Sequence, residues 1–366
     1  MFAAPTKKNI NDMNETNRQK LLTIIIPCYN SDWCLERCLL SLLTQPPNEK
    51  IEVIIVNDGS TDRTAEIAEA FVNKYSNIFR QINKKNGGHG SCINIAAKTA
   101  AGKYMKVLDS DDWLITENIQ KYLQILEMTD ADAVLTHFHT VNMANNRRQE
   151  FKTKDIELNK IYSLDQFVNL KGEIFHCTVL HGITYKTEIY IKSKTVLTEN
   201  IYYEDQEFAA MPFLEVNTVY PADLFLEQYQ IGNIKQSVSD INLVKRLTHI
   251  ETVTKNLFRF YAKHRGMSYG KKKYIAKKAT DMLLQYYAAA MIKNKSKRSG
   301  KQEAKRLRGE LALIAPELIK ATDTKYKLAV MLNFFRFSGS ALELIKKPLP
   351  IILYRKIFKR NNKLFR

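Results

Sequence analysis

No stretch of the sequence reaches the run of about 18 apolar residues that a membrane-spanning helix requires. Residues 1–20 are polar, include MNETNRQK, and lack the apolar segment of a secretory signal. A cytoplasmic location is expected, with membrane attachment only from the cytosolic side. Cysteine is sparse: there are five, an odd number without paired spacing. Cys34 and Cys38 stand four apart on an expected helix, but no histidine adjoins them to complete a zinc site. Reduced thiols in or near a core fit better than a disulfide framework. Internal repeats and low-complexity tracts are also lacking.

Acidic residues are scarce in the last third. Residues 245–366 hold 31 Lys and Arg against 7 Asp and Glu, net +24, whereas residues 1–244 hold 25 against 31, net −6. The overall +18 therefore belongs to the tail. Such asymmetry suggests a polyanion or an anionic membrane surface as partner. Nucleic-acid binding is one alternative, but no RNA or DNA recognition motif accompanies the charge, and no specific nucleic acid is expected. The terminal stretch PIILYRKIFKRNNKLFR, 350–366, interleaves apolar and basic residues in the manner of an interfacial helix.

A length of 366 residues, 45% hydrophobic and 26% charged, suits a large globular domain plus a smaller one. Four apolar runs each end in a polar cluster. LLTIII runs into Pro27-Cys28-Tyr29-Asn30, IEVIIV into Asn57-Asp58-Gly59-Ser60, FRQI into NKKNGGHGS, and KYMKVL into DSDD. Between them the spacing predicts helices over 32–43, 61–75 and 91–101, the second behind a Ser60/Thr61/Asp62 cap signal. Further elements are a helix over 116–128, a strand over 133–137, strand-like HGITYK and TVYPADLFLEQYQ, and helices from about 243 onward. Continuous apolar strands alternating with helices predict an α/β fold with a parallel sheet covered on both faces. In such sheets ligands bind beyond the carboxyl ends of the strands, where all four polar clusters fall.

Those clusters carry candidate chemistry. Asp109 and Asp111, two apart on an expected extended segment, point the same way and can converge on a divalent cation such as Mg2+ or Mn2+; the other reading is a solvated turn or helix cap, which Asp112 also fits. Asp58 can accept from a base or ribose, or cap the next helix. Asn86-Gly87-Gly88-His89-Gly90-Ser91 permits close backbone approach to an anion at a helix start. It is not a dinucleotide fingerprint, since it follows the third strand and has Ile93 where the last glycine belongs. Glu204-Asp205, between aromatics in YYEDQEF, can supply a general base or cap the helix over 206–214. His176 and His181 read as structural.

In order along residues 21–240, TIIIPCYN, VIIVNDGSTD, NGGHGSCINIAAKTAAGKYMKVLDSDDW and YYEDQEF resemble the inverting family 2 glycosyltransferases of bacterial polysaccharide synthesis. The resemblance implies the GT-A fold, a Rossmann-like, mostly parallel nucleotide-sugar-binding sheet. The expected organisation is a polar leader over 1–20, a GT-A domain over 21–240 and a basic helical region over 241–366. It implies that Pro27, Tyr29 and Asn30 line the nucleotide pocket, with Asn86, Gly88, Ser91 and Ser110 around the donor, and that Asp58 contacts the uracil. Asp111 ligates the metal with Asp109 nearer the ribose or sugar, Asp205 is the catalytic base beside Glu204, and Lys235 lies in a loop over the diphosphate. The implied reaction is metal-assisted, inverting transfer of a hexosyl or N-acetylhexosaminyl group from a UDP-linked sugar to a glycan or lipid-linked acceptor. A noncatalytic sugar-nucleotide-binding protein is the other alternative. Three positions depart from the family pattern: Asn57 for Asp, Ile93 for Arg, and Gln230 for Arg.

Overall fold

The computed structural model describes residues 20–145, 147–232 and 240–336. Lys235 and the stretch 350–366 lie outside the described residues. The described residues form two compact units, one of those up to 232 together with 265–275, the other of 240–264 and 276–336.

The first unit is built on one mixed sheet. β1 (Leu22–Cys28), β2 (Ile51–Asn57), β3 (Phe79–Asn83) and β4 (Tyr104–Val107) are the four apolar runs, and all pair in parallel in the order β3-β2-β1-β4. β1, β2 and β4 are buried along their whole length, which is why they read as unbroken apolar stretches instead of alternating ones. The sheet continues through β9 (Ile183–Lys186), antiparallel to both neighbours, to β6 (Ala133–Asn142) and β10 (Thr218–Ile231), which pair in parallel. β5 (Trp113–Leu114) closes the edge against β10. Short β7 (Arg147–Phe151) and β8 (Tyr162–Ser163), on β6 and β10, have no apolar run to announce them.

Helices α1 (Leu35–Ser41), α2 (Thr64–Lys74), α3 (His89–Ala97) and α4 (Thr116–Met128) connect the strands. One apolar core joins Leu35 and Leu39 of α1, Ala68 of α2, and Ile119, Tyr122 and Leu126 of α4 to Ile24, Ile26, Val53 and Ile55 of the sheet. α4 has the expected bounds. α1 and α2 start three residues later than expected, because Asp62 ties two loops together: its carboxylate accepts from Thr64 N and Asp32 N at 3.0 and 3.1 Å. α3 starts two residues early, since Gly88 turns the chain at φ 84° immediately before it. A further short helix, α5 (Asp205–Ala210), runs into a 3-10 turn over Met211–Leu214. Beneath it Tyr274 stacks on Phe213 at 3.7 Å and donates to Ala209 O at 2.8 Å.

The second unit is helical. Leu247–Lys263 buries Ile250, Val253, Leu257 and Phe258, and Lys297–Ile314 buries Ala304, Leu307 and Leu311. Ion pairs join these helices, from Glu251 to Arg306 at 2.6 Å and from Lys255 to Glu310 at 2.7 Å. No described helix is long and apolar enough to cross a membrane.

Candidate active site

The polar clusters of β1, β2 and β4 meet, as their place after parallel strands demands, beyond the carboxyl edge of the sheet. Pro27 is buried within β1, while Tyr29 just past it is 54% exposed. Asn30, at φ 50°, accepts from Thr61 N at 2.9 Å, and Ser31 and Ser110 hydroxyls lie 2.8 Å apart. Asp58 is buried, and its carboxylate accepts from Gly87 N (2.9 Å), Gly88 N (2.7 Å) and Lys84 Nζ (2.6 Å), while Asn86 donates to its carbonyl at 3.0 Å. Asp58 thus holds the Gly87-Gly88 turn in place. Lys84, which also reaches Ser91 Oγ at 2.8 Å, carried no signal in the sequence.

Gly90 sets the next contact. A Cβ there would lie 2.8 Å from Thr198 O and 2.9 Å from Glu204 Cγ, so only glycine lets the start of α3 lie against the 197–204 segment. Asn94 fastens the same segment through Leu197, accepting from its N–H and donating to its carbonyl, both at 2.9 Å. His89 is thereby held between two carboxylates, with Nδ1 2.7 Å from Glu204 Oε1 and Nε2 2.9 Å from Asp109 Oδ1. Burial works against an imidazolium here, but the two carboxylates outweigh it and hold His89 well above its ordinary pKa. Burial likewise opposes ionisation of Asp109, and His89 more than offsets it, so that carboxyl sits below its usual value.

The DSDD segment corrects the expectation of an extended strand. Asp112 N closes on Asp109 O at 3.0 Å, making a turn. The atoms that converge belong to Asp109, Asp112 and His181, whose ligand atoms all lie within 4.8 Å of one another, and Asp111 is not among them. Asp112 is fully buried and its Oδ1 accepts from Gln230 N at 2.7 Å, so it is no solvated cap. His181 belongs to the site: Nδ1 lies 2.7 Å from Glu227 Oε1 and 3.4 Å from Asp112 Oδ2, and the ring stacks on Tyr229 at 3.9 Å. Glu227 Oε2 in turn pairs with Lys106 Nζ at 2.8 Å, both side chains fully buried, and Lys106 also donates to His181 O at 2.7 Å. His176, by contrast, is half exposed beside Glu173.

Asp111 is half-buried and its carboxyl is pushed up to about 6, first by burial and then by Asp109. Asp205 is half-buried as well and stands at about 6, raised by burial and by Glu204. Burial and a neighbouring carboxylate thus both hold these two carboxyls towards the neutral form, an effect that a divalent cation beside the DSDD turn would offset.

Residues 23–187 match the family model described as glycosyl transferase family 2. The chain carries a family 2 glycosyltransferase domain. Among curated proteins it is similar to the uncharacterized glycosyltransferase EpsJ of Bacillus subtilis, 28% identical over 57% of this chain and 61% of that one. The poly(ribitol-phosphate) beta-glucosyltransferase of Bacillus spizizenii is 30% identical over 50% of this chain and 29% of that one. The chain thus spans less than two thirds of the length of these relatives. The solved structure of Staphylococcus aureus TarS 1–349 in complex with UDP-GlcNAc superposes with a TM-score of 0.60 at 17% identity, over 89% of this chain and 90% of that one. The fold is GT-A.

Within this glycosyltransferase domain one of the three departures from the family pattern contacts a cation. Gln230, which stands where the resemblance expects arginine, accepts at its Oε1 from Arg37 of α1 at 2.8 Å, and the same guanidinium donates to Asp111 O at 2.6 Å and stacks on Trp113 at 3.9 Å. The sequence offered no signal for Arg37 or His89, and His181 read as structural, because their partners are far away along the chain.

Proposed function

We propose that this domain transfers a sugar, hexosyl or N-acetylhexosaminyl, from a UDP-linked donor to a hydroxyl of a glycan or lipid-linked acceptor, with inversion, in the synthesis of a cell-surface glycan. The observation that carries the reading is the difference between two neighbouring carboxylates. Glu204 is buried and committed to His89, whereas Asp205 is half-buried with its carboxyl at about 6. Such a group is mostly ionised at neutral pH yet basic enough to accept a proton. Asp205 takes the proton of the acceptor hydroxyl as that oxygen attacks the anomeric carbon from the face opposite the diphosphate.

Tyr29 and Asn30 border the nucleotide, Asp58 meets the uracil edge, and Asn86, Gly88 and Ser91 present the start of α3, whose N-terminus favours an anion. Asp109 and Asp111 would hold Mg2+ or Mn2+, which would supply positive charge to the departing diphosphate. The UDP-GlcNAc and UDP carried by the TarS structures support a uridine-linked donor. The basic tail brings the chain to the cytosolic face of the plasma membrane, where a lipid-linked acceptor is found. Screening UDP-sugars for UDP release, with and without a chelator, tests the reading. No release and no melting shift with any nucleotide sugar would overturn it.

A further inference from the structure

We infer that His181 is a protein ligand of the divalent cation, joining the aspartates of the DSDD turn through Nε2; this deepens the glycosyltransferase reading and rests on it. A histidine ligand ordinarily gives its other ring N–H to a carboxylate, which fixes its tautomer and orientation. His181 has that arrangement already. Its Nδ1 lies 2.7 Å from Glu227 Oε1, and Glu227 cannot swing away because Lys106 holds its second oxygen at 2.8 Å. The backbone is pinned by Lys106 Nζ on His181 O at 2.7 Å, and the ring plane by Tyr229 at 3.9 Å. With Nδ1 engaged, Nε2 is the ring atom left for a cation.

The rest of the donor set is beside the ring. Ligand atoms of Asp109, Asp112 and His181 lie within 4.8 Å of one another, a separation that small side-chain movements close onto an ion. A second observation points the same way: Asp112 is fully buried, its Oδ1 takes Gln230 N, and its Oδ2 accepts no hydrogen bond among the described residues, with His181 Nδ1 no nearer than 3.4 Å. An oxygen buried without a donor is costly unless something positive occupies the space before it. A cation on Nε2 replaces the second imidazole proton, which leaves to solvent, as the positive charge facing these carboxylates. The imidazole also distinguishes this donor set from an all-oxygen one, favouring Mn2+ over Mg2+.

The test is pulsed electron paramagnetic resonance of the full chain loaded with Mn2+ and UDP. Imidazole 14N modulation is expected in the wild type and in His89→Gln, and absent in His181→Gln, whose Mn2+ affinity should also fall by at least about tenfold. Wild-type protein labelled with 15N-histidine should show the coupling change to that of 15N, a result independent of how the variants fold. Mn2+ coupled to UDP phosphorus without any histidine nitrogen would overturn the inference and leave the glycosyltransferase reading standing. A nitrogen signal lost in His89→Gln and kept in His181→Gln would overturn it too. Failure to bind UDP at all would instead count against the glycosyltransferase reading.

Discussion

His89 Nδ1 lies 2.7 Å from Glu204 Oε1, and this contact decides which of two adjacent carboxylates is available for chemistry. Glu204 is oriented towards the start of α3 and tied through His89 to Asp109. Asp205 keeps an accessible side, with Gln206 Nε2 donating to its Oδ2 at 3.0 Å. One imidazole thus joins Glu204 to Asp109 of the DSDD turn.

If Asp205 is the base, Asp205→Asn should bind UDP with nearly wild-type affinity while transfer falls by about 10²–10⁴-fold, the usual contribution of a general base. Calorimetry with UDP and single-turnover transfer measure the two separately. Wild-type turnover would move the role to another group.

The pH profile follows from the same residue. Asp205 acts as a base only when ionised, and its carboxyl stands at about 6. The rate should therefore fall about tenfold per pH unit below that value and level off above it. A transfer rate that stays flat between pH 5 and about 7 at saturating donor would exclude a base of this pKa.

How much of this could be read from the sequence depends on how local each cause was. The four parallel strands were legible because burial on both faces leaves continuous apolar runs, and α4 because its apolar spacing and ends agree. Asp109, Asp58 and the Glu204-Asp205 pair were legible as motifs. Their geometry was not. Two aspartates two apart converge only on an extended chain, whereas one hydrogen bond from Asp112 N to Asp109 O makes a turn and brings Asp112 inward instead. His89 and Glu204 are 115 positions apart, and Arg37 and Gln230 are 193 apart, so no spacing rule connects them.

Gly90 offers a test of that tertiary contact. In Gly90→Val the added carbons meet Thr198 O and Glu204 Cγ, which a single Cβ already approaches to 2.8 and 2.9 Å. The 197–204 segment must shift, at a cost of about 1–3 kcal/mol for overpacking, and Asp205 shifts with it. Thermal melting should fall modestly while transfer falls far more. Equal losses in Gly90→Val and in a surface change of matched stability would show that the contact is structural only.

Lys106 and Glu227 form a fully buried pair at 2.8 Å, and removing one charge leaves the other without a counter-ion. Lys106→Met should cost about 3–5 kcal/mol in urea unfolding. Glu227 also anchors His181, so Mn2+ affinity should weaken in parallel. A loss under about 1 kcal/mol would mean that the pair is solvated in solution.

The last prediction concerns residues 350–366, which carry six basic and no acidic residues among Ile, Leu, Tyr and Phe side chains. Each basic residue near an anionic leaflet contributes about 1 kcal/mol, and the apolar side chains add area to bury at the interface. Even half of that charge gives reversible attachment of useful strength. Full-length protein should therefore pellet with phosphatidylserine vesicles at low salt, and less so in 0.5 M salt, about where screening shortens to a few ångströms. A version ending at Lys347 should pellet less than the full chain, while melting and binding UDP unchanged. Because the region from 245 onward is net +24, some residual binding by the shortened chain is consistent with the proposal. If neither version pellets at low salt, the tail does not bring the domain to a membrane, and a soluble acceptor becomes the better reading of the same active site.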